Sequence, residues 1–159
     1  PLFIHQQGEI RHKVTYSRES SGTRKIYDII GAYFLVLKDG GLLALDEFDI
    51  HLHAAVLPKI LELFTNPKIN RRGAQFIFTS HNTEIIDNLG KYRTILVNKE
   101  ESESYCYRLD EIPGTMIRND RSIAPLYMEN KIGGMPVFAN SRLEEIMAGL
   151  ENNEAIQSK

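Results

Sequence analysis

The chain has 159 residues, 42% of them hydrophobic, which allows one ordinary core and excludes two independent ones. A formal net charge of −2 leaves no basic footprint for holding nucleic acid by charge alone, and a lone cysteine, Cys106, excludes an internal disulfide and a cysteine-rich zinc site. The longest apolar stretch, residues 29–37, contains Gly31 and falls short of the roughly 20 residues of a bilayer span, so the expectation is a cytoplasmic protein with no membrane partner.

In chain order, residues 2–5 and the alternating residues 12–16 predict short strands around a turn at Gly8. After Glu19-Ser20-Ser21-Gly22-Thr23, apolar residues recur at Ile26, Ile29, Ile30, Tyr33, Phe34 and Leu37. That 3.6-residue stripe predicts an amphipathic helix starting near the serines and stopping at Lys38-Asp39-Gly40-Gly41. The apolar run Leu42-Leu43-Ala44-Leu45 ends in Asp46-Glu47 and predicts a strand buried on both faces. A second stripe, Val56, Leu57, Ile60, Leu61 and Phe64, predicts a helix whose early turns Pro58 bends and which Asn66-Pro67 ends.

Residues 75–79 predict another buried strand, leaving through Ser80-His81-Asn82 into a short helix at Ile85, Ile86 and Leu89. Residues 92–97 and 105–109 predict two further strands joined by the charged turn 99–104. Pro113-Gly114 and Gly133-Gly134-Met135-Pro136 punctuate the last third, and Asn140-Ser141 predicts the cap of a final helix over 142–149 before a frayed tail. The pattern is α/β: a mostly parallel sheet flanked by helices, with residues 1–138 as one lobe and 139–159 as a terminal helix and tail.

In open α/β sheets, ligands collect beyond the carboxyl ends of the strands. Two such ends carry chemically capable groups, Asp46 and Glu47 on one and Ser80, His81 and Asn82 on the other. Adjacent carboxylates held at a strand end suit a metal, a water or a proton, whereas the plainer reading is a polar exit into a loop. For His81 the plainer reading is a loop histidine capping the next helix. Ser20-Ser21-Gly22-Thr23 offers helix-start N–H groups to an anion such as phosphate, or serves as an ordinary N-cap.

Taken in order, these features resemble the soluble ATP-binding-cassette ATPase heads of SMC, RecF and phage-defence proteins. Residues 19–23 look like the signature motif, residues 42–47 like the Walker B strand and His81 like the switch histidine. Asp46-Glu47-Phe48-Asp49, Leu52-His53, Phe78-Thr79-Ser80-His81-Asn82 and Gly133-Gly134-Met135-Pro136 are similar to the predicted ATPases of abortive-infection, Septu and overcoming-lysogenisation systems. The resemblance implies the C-terminal half of a P-loop NTPase head that dimerises around ATP and Mg²⁺. It implies that Asp46 holds Mg²⁺ through water, Glu47 activates the attacking water and His81 reports the γ-phosphate. Ser20, Ser21, Gly22 and Thr23 would meet the ATP of the opposite subunit, and Asp49 to His53 would cross between the two sites. The implied partners are a second copy, an effector nuclease and DNA.

The sequence departs from that pattern in three places. His53 stands where SMC-type heads usually have aspartate, and Ala54 replaces the proline that often follows Leu-His. No Gly-x-x-x-x-Gly-Lys-Ser/Thr occurs, so the chain holds no lysine loop for the β- and γ-phosphates. Together with a start at Pro1, this predicts that an N-terminal lobe carrying the Walker A loop lies elsewhere. The competing expectations are a metal-dependent hydrolase or nuclease built on His51, His53 and Asp46, and a non-catalytic interaction lobe. A helix beginning at 51–53 would splay the two histidines by about 200° and spoil the metal site.

Overall fold

The computed structural model describes residues 1–118 and 120–136. The predicted helix over 142–149, its cap at Asn140-Ser141 and the tail lie outside those residues.

The chain opens on an antiparallel hairpin, β1 (Leu2–Gln7) with β2 (Ile10–Thr15), turning at Gly8 with φ +61°. His5 Nε2 and Glu19 Oε1 lie 2.5 Å apart, which ties the hairpin to the segment leading into α1 (Ser21–Asp39). Ser20 caps α1 by accepting the Thr23 N–H at 3.1 Å, and Gly40 ends it in the left-handed region at φ +77°. The helix follows the predicted bounds, but its apolar stripe divides. Tyr33 and Ile29 pack into the core, whereas Ile30 and Phe34 stay exposed.

β3 (Leu42–Leu45) pairs in parallel with β4 (Gln75–Phe78), in register Leu42 with Gln75 through Leu45 with Phe78. Both strands were expected to be buried on two faces; they are buried on one. Leu43, Leu45, Phe76 and Phe78 pack on the core, while Leu42 and Ile77 are 57% and 59% exposed. The reason is topological: among the described residues β3 and β4 form a two-stranded sheet, and helices cover one side of it.

Pro58 also differs from expectation. It sits in the first turn of α2 (Leu57–Thr65), where its missing N–H costs nothing, so it starts the helix rather than bending it. A 3-10 turn over Ala54–Val56 precedes it, and Asn66 caps its end as the sequence predicts. α3 (Glu84–Leu89) follows β4 through a short loop. Tyr33, Phe48, Leu57, Ile60, Leu61 and Ile85 form the first core.

The next hairpin, β5 (Ile95–Glu100) with β6 (Glu103–Arg108), is shifted and tighter than predicted. Its strands run through the charged segment and turn at Glu101 and Ser102 alone, both with positive φ, +46° and +73°, a geometry that matches strand twist. α4 (Ala124–Met128) had no helical signal in the sequence. Asp87 supplies its start, accepting N–H groups from Ile123 and Ala124. A second core of Ile86, Leu96, Leu109, Ile117, Ile123 and Ile132 joins this part together. No described helix is long and apolar enough to cross a membrane.

Candidate functional site

The site begins with a parallel strand pair whose carboxyl ends stop side by side. Leu45 is in register with Phe78, so Asp46 and Thr79 emerge as neighbours. Thr79 Oγ1 donates to Asp46 Oδ1 and accepts the Glu47 N–H at 2.7 Å, joining both acids to the adjacent strand through one hydroxyl. Glu47 is held at φ +45°, a strained position for a side chain with a Cβ, and the Thr79 hydroxyl is what its amide meets there.

Phe48 anchors this corner. It is 1% exposed and packs on Phe76 and Phe78, with ring centroids 5.4 Å and 4.3 Å away. Burying residue 48 fixes where the chain turns, so Glu47 remains at the cavity beside it. The neighbouring Asp49 has a buried Oδ1 that meets no donor among the described residues. Such an atom is costly to leave unmatched and is uncommon in folded proteins.

His81 Nε2 lies 3.5 Å from Glu47 Oε1, and its imidazole is 85% exposed. It does not cap α3. Thr83 stands at its N-cap without a side-chain bond, and Asn82 Oδ1, one residue earlier, accepts the Glu84 N–H at 2.9 Å, leaving His81 with Glu47. Asp46, Glu47, Thr79, Ser80, His81 and Asn82 line one end of a cavity of about 870 Å³.

Ser20, Ser21, Gly22 and Thr23 are not on that cavity. They reach the site indirectly, because the first turn of α1 packs on the loop after Glu47. A Cβ on Gly22 would come within 2.8 Å of the His51 carbonyl oxygen, so the close approach requires glycine. His51 itself has φ +69°. His53 turns inward on its own backbone, accepting the Ala55 N–H at Nδ1, 3.1 Å away. No helix begins at 51–53, and among the described residues no three His, Cys, Asp or Glu side chains converge as a metal site.

Sequence reasoning missed Thr79 and Phe48. Their only signals were a hydroxyl ending an apolar strand, and an aromatic directly after the acids facing the Phe76-Ile77-Phe78 run.

The fold and site define an α/β domain whose polar and acidic groups gather at the carboxyl ends of parallel strands, the usual ligand position in such sheets. A family model described as "AAA domain, putative AbiEii toxin, Type IV TA system" matches residues 2–87. That is more than half of the chain and takes in every site residue above, and the chain belongs to this family. Membership gives a nucleotide-binding, ATPase-like domain in a toxin or abortive-infection setting. No curated protein matches the chain.

Proposed function

We propose that the chain is the signature, Walker B and switch half of an ABC-type ATPase head, one that dimerises around ATP and drives an effector in phage defence or DNA repair. The observation that carries the reading is the cluster of Asp46, Thr79, Glu47 and His81 on adjacent strand ends at one cavity.

The donor set fits a hard divalent cation. Thr79 occupies Asp46 Oδ1, which leaves Oδ2 as the oxygen for Mg²⁺ or its water, and Mg²⁺ favours carboxylate with retained hydration. Bound there with ATP, the ion would neutralise charge on the β- and γ-phosphates. Glu47 is the base: its carboxylate takes a proton from the attacking water as the γ-phosphoryl group leaves ADP. His81, 3.5 Å from Glu47, would donate to a γ-phosphate oxygen and so register whether that group is present.

Ser20, Ser21, Gly22 and Thr23 would act on the nucleotide of a second head. Their position away from this chain's own cavity supports that reading. Asp49 and His53 lie on the loop between the two sets. The lysine loop for the phosphates would come from an N-terminal lobe, since this sequence contains none.

The test is ATP turnover by the natural full-length protein and its Glu47→Gln variant. Loss of a general base predicts a fall of about 100-fold or more with ATP binding retained. Undiminished turnover would remove Glu47 from the mechanism.

A further inference from the structure

The hairpin β1–β2 contributes no residue to either core, so something other than core packing must fix it. What fixes it is the start of α1. Phe3 and Tyr16 meet Tyr27 with ring centroids 5.2 Å and 6.0 Å away, the Tyr16 hydroxyl donates to Asp28 at 2.6 Å, and the Arg24 guanidinium lies 5.8 Å over the Tyr16 ring. Ahead of these contacts, where the chain enters the helix, stands the pair of His5 and Glu19.

Among the described residues Glu19 is the only buried side chain that carries a charge, 5% exposed against 54% for His5. A buried carboxylate without a partner is costly, and here an imidazole meets it. An ionised carboxylate only accepts, so His5 Nε2–H donates to Glu19 Oε1 at 2.5 Å. The Glu19 N–H in turn donates to the Tyr16 carbonyl at 3.2 Å, so the residue is held through both its backbone and its side chain. Ser20, the cap of α1, comes next in the chain, and two residues further Gly22 lies against the His51 carbonyl. The turn formed by Ser20, Ser21 and Gly22 is therefore gripped from two sides, by the hairpin through Glu19 and by the loop after Glu47 through Gly22.

We propose that His5 is a positioning residue for Ser20 and Ser21: by keeping the Glu19 carboxylate inside the fold, it holds the turn that follows ready to meet the ATP of a second head. Without the imidazole the carboxylate is drawn toward water, and because Ser20 is the next residue, the cap and both hydroxyls move with it. The duty of the turn rests on the ATPase reading; the pairing of His5 with Glu19 does not. A division of labour between heads follows. Each head applies Glu47 to its own nucleotide, while its His5 serves the nucleotide of the other.

ATP turnover by the natural full-length protein tests the proposal. His5→Ala lowers it by about 10-fold or more, because a displaced contact costs rate even far from the reacting atoms. His5→Gln, whose amide reaches the same oxygen as a donor, restores turnover to within about 2-fold. The discriminating measurement co-produces His5→Ala heads and Glu47→Gln heads in equal amounts in one cell. Each mixed dimer then has one site that combines an intact Glu47 with a turn held by an intact His5, so turnover recovers to about a quarter of the unsubstituted rate although neither variant alone reaches it. No recovery overturns the proposal, since a His5 that served its own head, or the fold alone, would leave both sites of a mixed dimer defective. Full turnover by His5→Ala overturns it as well, and so does a His5→Gln protein no better than His5→Ala. If circular dichroism shows that His5→Ala does not fold, His5→Ala combined with Glu19→Gln, which strands no charge, takes its place in the mixture with the same two outcomes. Undiminished turnover by Glu47→Gln overturns the ATPase reading instead, which keeps the two failures apart.

Discussion

Thr79 does with one hydroxyl what neither acid can do for itself. It donates to Asp46 and accepts from the backbone of Glu47, so the metal-ligand candidate and the base candidate are held by the strand that carries His81. Thr79→Val keeps the shape and removes both bonds. We expect turnover to fall by about 10-fold or more and unfolding stability by about 1 kcal/mol, read by phosphate release and urea titration. Thr79→Ser restores both bonds and should restore turnover. Asp46, Glu47 and His81 were visible in the sequence because burying or clustering such groups is expensive enough to mark them. Thr79 was not, because a threonine at a strand end is common and its importance comes from the register that sets it beside Asp46.

At the scale of elements, α1 shows what periodicity can and cannot say. Its start at the serines and its stop at Gly40 follow from local chemistry, a side-chain cap and a left-handed glycine, and both were readable. Its contact with the loop after Glu47 was not, since it depends on a long-range approach at Gly22. Gly22→Ala should gain about 1 kcal/mol of helix propensity and lose more, because the new methyl meets the His51 backbone carbonyl at 2.8 Å. The net expectation is destabilisation of about 1–2 kcal/mol in urea unfolding. A neutral or stabilised variant would mean that the loop yields freely. The hairpin β5–β6 errs in the other direction: charged residues 99–104 read as a loop, yet exposed edge strands tolerate charge, and only Glu101 and Ser102 turn.

For the whole molecule, Tyr33 reports on the integrity of the first core. It packs edge-on against Phe64 and Phe76, and burial pushes its phenol up to about 12 from an ordinary value of 10.0. A phenol that stays neutral in the fold but ionises when unfolded binds its proton more tightly in the native state, so its contribution is full below pH 10 and is lost as pH rises toward 12. Stability should therefore fall across that window, and Tyr33→Phe should flatten the fall in denaturant titrations at pH 9 to pH 12. An unchanged slope would show that the phenol reaches water in the native core.

The sequence by itself determined the α/β class, the order of helices and strands through α3, the bounds of α1, the acids at the end of β3 and the histidine after β4. Each of these is written locally, in periodicity, caps and the cost of placing charge. Only the tertiary structure decided that β3 and β4 are covered on one face, that Thr79 joins the two acids, that Asn82 rather than His81 bonds the first turn of α3, and that among the described residues β4 and β5 each have one strand neighbour. Those features depend on register and on which edges lack neighbours. Neither is set by any one segment, because a strand's partners are chosen by the rest of the fold.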